Sequence, residues 1–292
     1  DSSTSRGLGD VYKRQEYYDT FAGEVLHFIE KNEYPTEKIS GISIATQGIT
    51  SPDNSTVIYG NIMNNTGMKL EDFSRHLPYP CHLEHDSKSA AFLELWNHPE
   101  LDSAVVFLLN RNLGGAIITN HQIHQGSSMH SGTLEHICVN PDGPLCYCGN
   151  RGCLETFCST TALFARLRAA GIPVSYQDIY GSDPNEAAIT ELAAAFISGD
   201  EAVTACLQSY GRDLCCAMVS LVNLLDVRAV RLGGFPYLLG EPFAELLRSM
   251  LMEDFHILTS TGELELQLFD CKYEDVRKAA VLQTLEAIFS RH

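Results

Sequence analysis

The chain has 292 residues, 45% hydrophobic and 20% charged, which is enough to bury one large or two medium cores. No apolar run approaches the ~18–20 residues that span a bilayer, and the polar first residues lack the apolar segment of a secretion signal, so a cytoplasmic protein without membrane contact is expected. The net charge of −17 repels phosphate backbones, which makes this chain by itself a poor nucleic-acid binder while leaving room for a basic domain attached elsewhere.

Residues 1–15, DSSTSRGLGDVYKRQ, carry neither a helical nor a strand period. They read as a non-native leader joined to a chain whose own N-terminus is missing, with a genuine disordered tail as the alternative. EYYDTFAGEVLHFIEKNEY then reads as an amphipathic helix. KISGISIATQGIT is a buried strand running into a glycine turn, STVIYGNI a second strand, and PCHLEHD a third that ends on an acid. SKSAAFLELWNH has apolar residues at helical spacing, with Ser87 placed to cap its start. SAVVFLLN and GGAIITN form a hairpin-like pair around Gly114 and Gly115. From Thr160 the chain is mainly helical: TTALFARLRAAG, NEAAITELAAAFISG and EAVTACLQSYGRDLCCAMVSLVNLLD. The strand AVRLGG, a helix from about Glu241, the strand LELQLFD and the helix VRKAAVLQTLEAIF complete an alternating α/β pattern.

The stretch 132–159, GTLEHICVNPDGPLCYCGNRGCLETFCS, is the most informative. Its spacing H-x9-C-x-C-x4-C joins His136 to Cys146, Cys148 and Cys153, an imidazole and three thiolates of the kind that fill a closed tetrahedral zinc site. Cys146 and Cys148 sit too close for an easy mutual disulfide, and glycines 149 and 152 let the backbone turn tightly. Free buried cysteines or another disulfide is the alternative. In a large, unsecreted chain with ten cysteines, reduced thiols and a metal are favoured. Cys138 and Cys158 exceed the four-ligand count and read as packing residues.

The pattern H-x-x-V-x-P-D-G-P-L-C-x-C-G-N-R-G-C-L-E resembles the signature of the ROK family (repressor, open reading frame, kinase). GISIATQGITSPD, LEHDSKSAAFLELW, LLNRNLGGAII and NLLDVRAVRLGGFPYLLGEPF resemble further family segments in the same order, over roughly residues 16 to 290. The resemblance implies an actin-like (ribonuclease H-like), two-lobed ATPase/sugar-kinase fold of the α/β class, truncated at its N-terminus, with a sugar cleft between the lobes. Residues 16–98 would form an incomplete N-terminal lobe, and residues 99–292 a C-terminal lobe carrying the zinc loop. It further implies structural zinc on His136, Cys146, Cys148 and Cys153, with His136 and Glu155 turned toward a sugar or sugar phosphate. Asp86 matches the family's catalytic aspartate, a general base for phosphoryl transfer, although an aspartate there can also simply cap the next helix. Asn61 falls on a sugar-contacting asparagine if no gap intervenes; a solvent-exposed loop asparagine is the alternative. His85, a weaker candidate for sugar contact, stands where the family places an asparagine, and Thr133 where it places a glutamate; the resemblance implies that sugar specificity is set at these two cleft positions. A homodimer or higher homo-oligomer is also implied.

The nucleotide loops depart from the family pattern. Phosphates need bare backbone amides, yet Asn110, Arg111 and Asn112 precede Gly114 and Gly115, and Phe235 follows Gly233 and Gly234 where a third glycine is usual. The first phosphate-binding strand with its Asp-Gly-rich turn is absent. The expected function is therefore the sugar-sensing effector domain of a ROK-type transcriptional regulator, its DNA contacts made only through a missing N-terminal helix-turn-helix domain. The alternative is an ATP- and magnesium-dependent hexose or amino-sugar kinase.

Overall fold

The computed structural model describes residues 11–175, 185–255, 257 and 264–289. In chain order its elements are α1 (Val11–Lys31), β1 (Ile42–Thr46), β2 (Ile49–Thr50), β3 (Val57–Tyr59), α2 (Leu70–Ser74), β4 (Cys81–His85) and α3 (Asp86–Asn97). There follow β5 (Ala104–Leu109), β6 (Leu113–Thr119), β7 (Gln122–Ile123), α4 (Glu155–Cys158), α5 (Thr160–Ala169), α6 (Glu186–Ile197) and α7 (Glu201–Leu225). The rest is β8 (Ala229–Gly234), α8 (Phe235–Leu239), α9 (Glu241–Glu253), β9 (Glu265–Phe269) and α10 (Tyr273–Phe289). Among the described residues no helix is long and apolar enough to cross a membrane.

Two compact units divide the chain. Unit 1 takes the described parts of Asp1–Leu93, Gly126–His130 and Glu274–His292; unit 2 takes those of Glu94–Gln125 and Ser131–Tyr273. In unit 1, β1 runs parallel to β4, from Ile42 opposite Cys81 to Thr46 opposite His85, while β2 and β3 pair antiparallel. The two-residue side-chain period of a strand splits the β1–β4 pair into faces. Ile44 and Leu83 pack with Tyr18, Val57, Met68 and Phe73, and the Tyr18 and Phe73 rings meet edge-on at 4.8 Å. Ser43 and Glu84 point the other way, where both contact Thr284 of α10.

Unit 2 holds a five-stranded sheet in the order β7-β6-β5-β8-β9, with β6 antiparallel to β5, and β8 parallel to both β5 and β9. All six residues of β5, AVVFLL, are buried, as expected of a strand at the centre of a covered sheet. Helix α7 begins where Asp200 accepts the Val203 N–H at 2.9 Å, and it ends at Asp226, whose φ is 51°. Its residues Val203, Leu207, Tyr210, Leu214, Met218 and Leu221 recur at helical spacing and are buried in the main core. Each such large apolar side chain contributes roughly 1.5–3 kcal/mol by leaving water. Arg231 of β8 is a buried charge in this sheet, 2% exposed, and lies 2.8 Å from Glu265 and 3.7 Å from the buried Glu94 of α3.

The structure corrects several sequence expectations. α1 starts at Val11, so residues 11–15, read as part of a leader without period, are helical; residues 1–10 lie outside the described residues. Ser87 does not cap α3: the helix opens on Asp86, and the Ser87 N–H and hydroxyl both donate to the Asp86 carboxylate. Gly114 and Gly115 lie within β6 rather than in the turn, which is made by residues 110–112. The boundary between the two compact units falls inside α3, and the described part of Glu274–His292 groups with unit 1. The short elements α2, α4, β7 and α8 were not read from the sequence because five residues or fewer show no resolvable period.

Candidate functional site

The loop between β7 and α4 is built around four side chains. The donor atoms of His136, Cys146, Cys148 and Cys153 all lie within 4.8 Å of one another, and no other such group of metal-ligating side chains occurs among the described residues. His136 Nδ1 is 3.7 Å from Cys146 Sγ, and Cys148 Sγ is 3.6 Å from Cys153 Sγ. Metal–sulfur bonds of ~2.3 Å and a metal–nitrogen bond of ~2.0 Å at tetrahedral angles need about 3.8 Å between sulfurs and about 3.5 Å between nitrogen and sulfur. The donor set therefore fits a tetrahedral ion. A Cys148–Cys153 disulfide does not fit, since bonded sulfurs lie ~2.05 Å apart; all ten cysteines are free thiols.

Local backbone geometry makes this arrangement possible. The loop closes on itself through the isolated bridges Cys138–Cys153 and Leu145–Arg151. Gly152 has φ 70°, and a Cβ there would collide with the Asn140 carbonyl, so glycine is required. Gly115 of β6 plays a comparable part: a Cβ would come within 2.6 Å of the Val106 carbonyl and 2.5 Å of Leu134. Its bare backbone lets the 3-10 turn Leu134–His136 pack onto the sheet. Burial holds His136 below the usual histidine range, in the neutral form that ligates metals. With Nδ1 facing Cys146, its buried Nε2 has no hydrogen-bond partner and sits 3.8 Å from Glu135.

Two residues past Cys153, Glu155 opens α4 and is 7% exposed. Its Oε2 accepts the Leu113 backbone N–H at 2.7 Å, and its Oε1 accepts the Asn112 side-chain amide at 3.0 Å. Burial raises the carboxyl pKa, opposed by these two donors and by the Arg111 charge. The Thr160 N–H donates to the Asn110 carbonyl at 2.8 Å. The β5–β6 turn is thus tied at both ends to α4 and α5. Gly233 and Gly234 end β8, and the next residue, Phe235, is 1% exposed and meets the Tyr210 ring at 5.8 Å, so it is a core residue.

The remaining sequence candidates belong to unit 1. Asp86 follows β4 directly, and burial pushes its carboxyl up to about 6 against the two Ser87 donors, at 2.6 and 3.1 Å. His85 Nε2 lies 3.6 Å from Asp86 Oδ1, but burial and then the Lys88 charge push the imidazole down to about 3. That contact is dipolar rather than ionic, and His85 Nδ1 is buried without a hydrogen-bond partner. Asn61 is exposed and donates to the Tyr59 hydroxyl at 3.1 Å. Two groups escaped the sequence reading. Glu84, 5% exposed, accepts from Thr284 and Asn54 at 3.3 and 3.4 Å, and burial pushes it up to about 7. Asn65, 7% exposed, donates to Thr46 at 2.9 Å with its carbonyl oxygen unpaired. An acid alternating with Leu83 on a short strand is a weak sequence signal for the first; nothing in the sequence marked the second.

Comparison with known proteins places this geometry in context. The model of the ROK family matches residues 9–259. The DNA-binding transcriptional dual regulator NagC of Escherichia coli is 25% identical over 213 residues, 72% of this chain and 52% of that protein. N-acetylmannosamine kinase of Vibrio vulnificus is 28% identical over 198 residues, 66% of this chain and 63% of the kinase. The chain thus spans about half to under two thirds of the length of these relatives. Among solved structures, a ROK family glucokinase from Streptomyces griseus, in complex with glucose and AMPPNP, superposes with a TM-score of 0.70 at 21% identity, covering 91% of this chain and 86% of the other.

Proposed function

The chain belongs to the ROK family, with its actin-like α/β fold and with both regulators and sugar kinases among its relatives, and from that premise we propose that it is the sugar-binding effector part of a transcriptional regulator. Its ligand is a sugar or sugar phosphate, and a zinc ion on His136, Cys146, Cys148 and Cys153 fixes the loop that presents His136 Nε2 and Glu155. Fixing the loop before binding lowers the ordering cost of the complex. The observation that carries the choice of regulator over kinase is the β5–β6 turn. There Asn112 and Glu155 join side chain to side chain, where a kinase needs open backbone amides to receive phosphates. With a net charge of −17, this chain supplies ligand binding and not DNA contact.

One observation favours the second reading, an ATP-dependent hexose or amino-sugar kinase. The Asp86 carboxyl, pushed up to about 6 at the end of β4, is suited to accept a hydroxyl proton near neutral pH. Thermal denaturation without nucleotide tests the primary reading, using hexoses, N-acetylhexosamines and their 6-phosphates. A ligand at 100 times its Kd adds about 2.7 kcal/mol to stability and raises the melting temperature by several degrees. Asp86→Asn should weaken the shift, because a carboxylate accepts from more sugar hydroxyls than an amide does. No shift with any member of the panel would overturn the sensor reading.

A further inference from the structure

The Asn110–Arg111–Asn112 turn, unsuited to phosphate, has a defined partner of its own. The Glu155 carboxyl lies in a site only 7% exposed, and two donors from this turn reach it, the Leu113 N–H at 2.7 Å and the Asn112 amide at 3.0 Å. The two donors engage different oxygens, so together they fix both the position and the plane of the carboxylate. An ionised carboxylate offers about four acceptor sites, and two remain after this clamp. The turn itself is held from the other side by the Thr160 N–H on the Asn110 carbonyl at 2.8 Å.

We propose that Asn112 is a positioning residue, whose amide together with the Leu113 N–H orients the Glu155 carboxylate to receive sugar hydroxyls. The inference rests on the sugar-binding reading of Glu155. A turn that resembles a nucleotide loop thereby becomes a support for the ligand carboxylate. Orientation set before binding is not charged against affinity when the sugar arrives. A glycine at residue 112 would leave one carboxylate oxygen without its donor.

The test is sugar affinity, measured calorimetrically on the metal-loaded chain with the sugar that best stabilises the wild type. Asn112→Ala should weaken binding about tenfold, while the zinc content stays at the wild-type value. Asn112→Gln, which keeps an amide donor, should stay within about threefold of wild type, a rescue that a packing role would not give. The Leu113 amide, followed by hydrogen exchange without sugar, should exchange faster in Glu155→Ala. Unchanged or tighter binding in Asn112→Ala would overturn the inference; tighter binding would mean that the turn competes with the sugar for Glu155. If Asn112→Ala does not fold, Asn112→Gln decides, and its failure to hold affinity overturns the role. If the wild type binds no sugar, the sensor reading falls instead, and the two failures are told apart.

Discussion

The Tyr210 hydroxyl, in the middle of α7, donates to the main-chain carbonyl of Cys158 at 2.7 Å, and both residues are fully buried. Cys158 ends α4, five residues past Cys153, so this bond pins the exit of the cysteine loop to the long core helix α7. Tyr210→Phe strands a buried carbonyl and should cost about 1–3 kcal/mol in urea unfolding. Zinc content should not change. An unaltered midpoint would show that water replaces the hydroxyl there.

Purified protein should carry about one tightly held zinc. Cys148→Ser should release it and lower the melting temperature sharply, because a structural ion adds its binding free energy to folding. Wild-type protein that is folded and metal-free under reducing conditions, with the same melting temperature, would sink the assignment.

With ATP, magnesium and a hexose panel, phosphoryl transfer should be absent. Turnover of even ~1 per second, the low end for ordinary kinases, would restore the kinase reading. It would require the β5–β6 turn to release Glu155, which the Leu113 amide would report through its own bond to that carboxylate.

Glu84 should make the stability of unit 1 depend on pH. Its folded pKa of about 7 lies above the ordinary 4.5, so the folded state binds its proton more tightly than the unfolded state does. The stabilisation is fully present below pH 4.5 and is lost as pH rises through about 7, amounting to at most about 3 kcal/mol. Glu84→Gln keeps a hydrogen-bonding group without the charge. It should remove this loss, so that the variant gains on wild type between pH 5.5 and 8 in urea titrations. Parallel pH profiles for the two proteins would refute it.

Arg231→Ala should destabilise the protein by roughly 3–5 kcal/mol, because it leaves Glu94 buried without its cation. Glu94→Gln in the same background should recover part of the loss in chemical denaturation. Additive losses in the double variant would mean that the two residues do not act as a pair.

The long elements and the grouping of four metal-ligating side chains were legible in the sequence. Helix α7 and strand β5 declare themselves through apolar period and continuous hydrophobicity, which are local properties. The spacing of His136, Cys146, Cys148 and Cys153 is local too, and its chemistry restricts what can fill it. Only the tertiary structure decided the rest. It put Glu155 against Asn112, 43 residues earlier in the chain, and Thr284 against Glu84, 200 residues apart. It made Gly115 a seat for Leu134 and buried Phe235 on Tyr210, where the sequence suggested only damaged nucleotide loops. It also grouped α10 with unit 1 instead of with the helices that precede it in sequence. Contacts of that kind depend on which surfaces chain reversal brings together, and no periodicity within one segment encodes its distant partner.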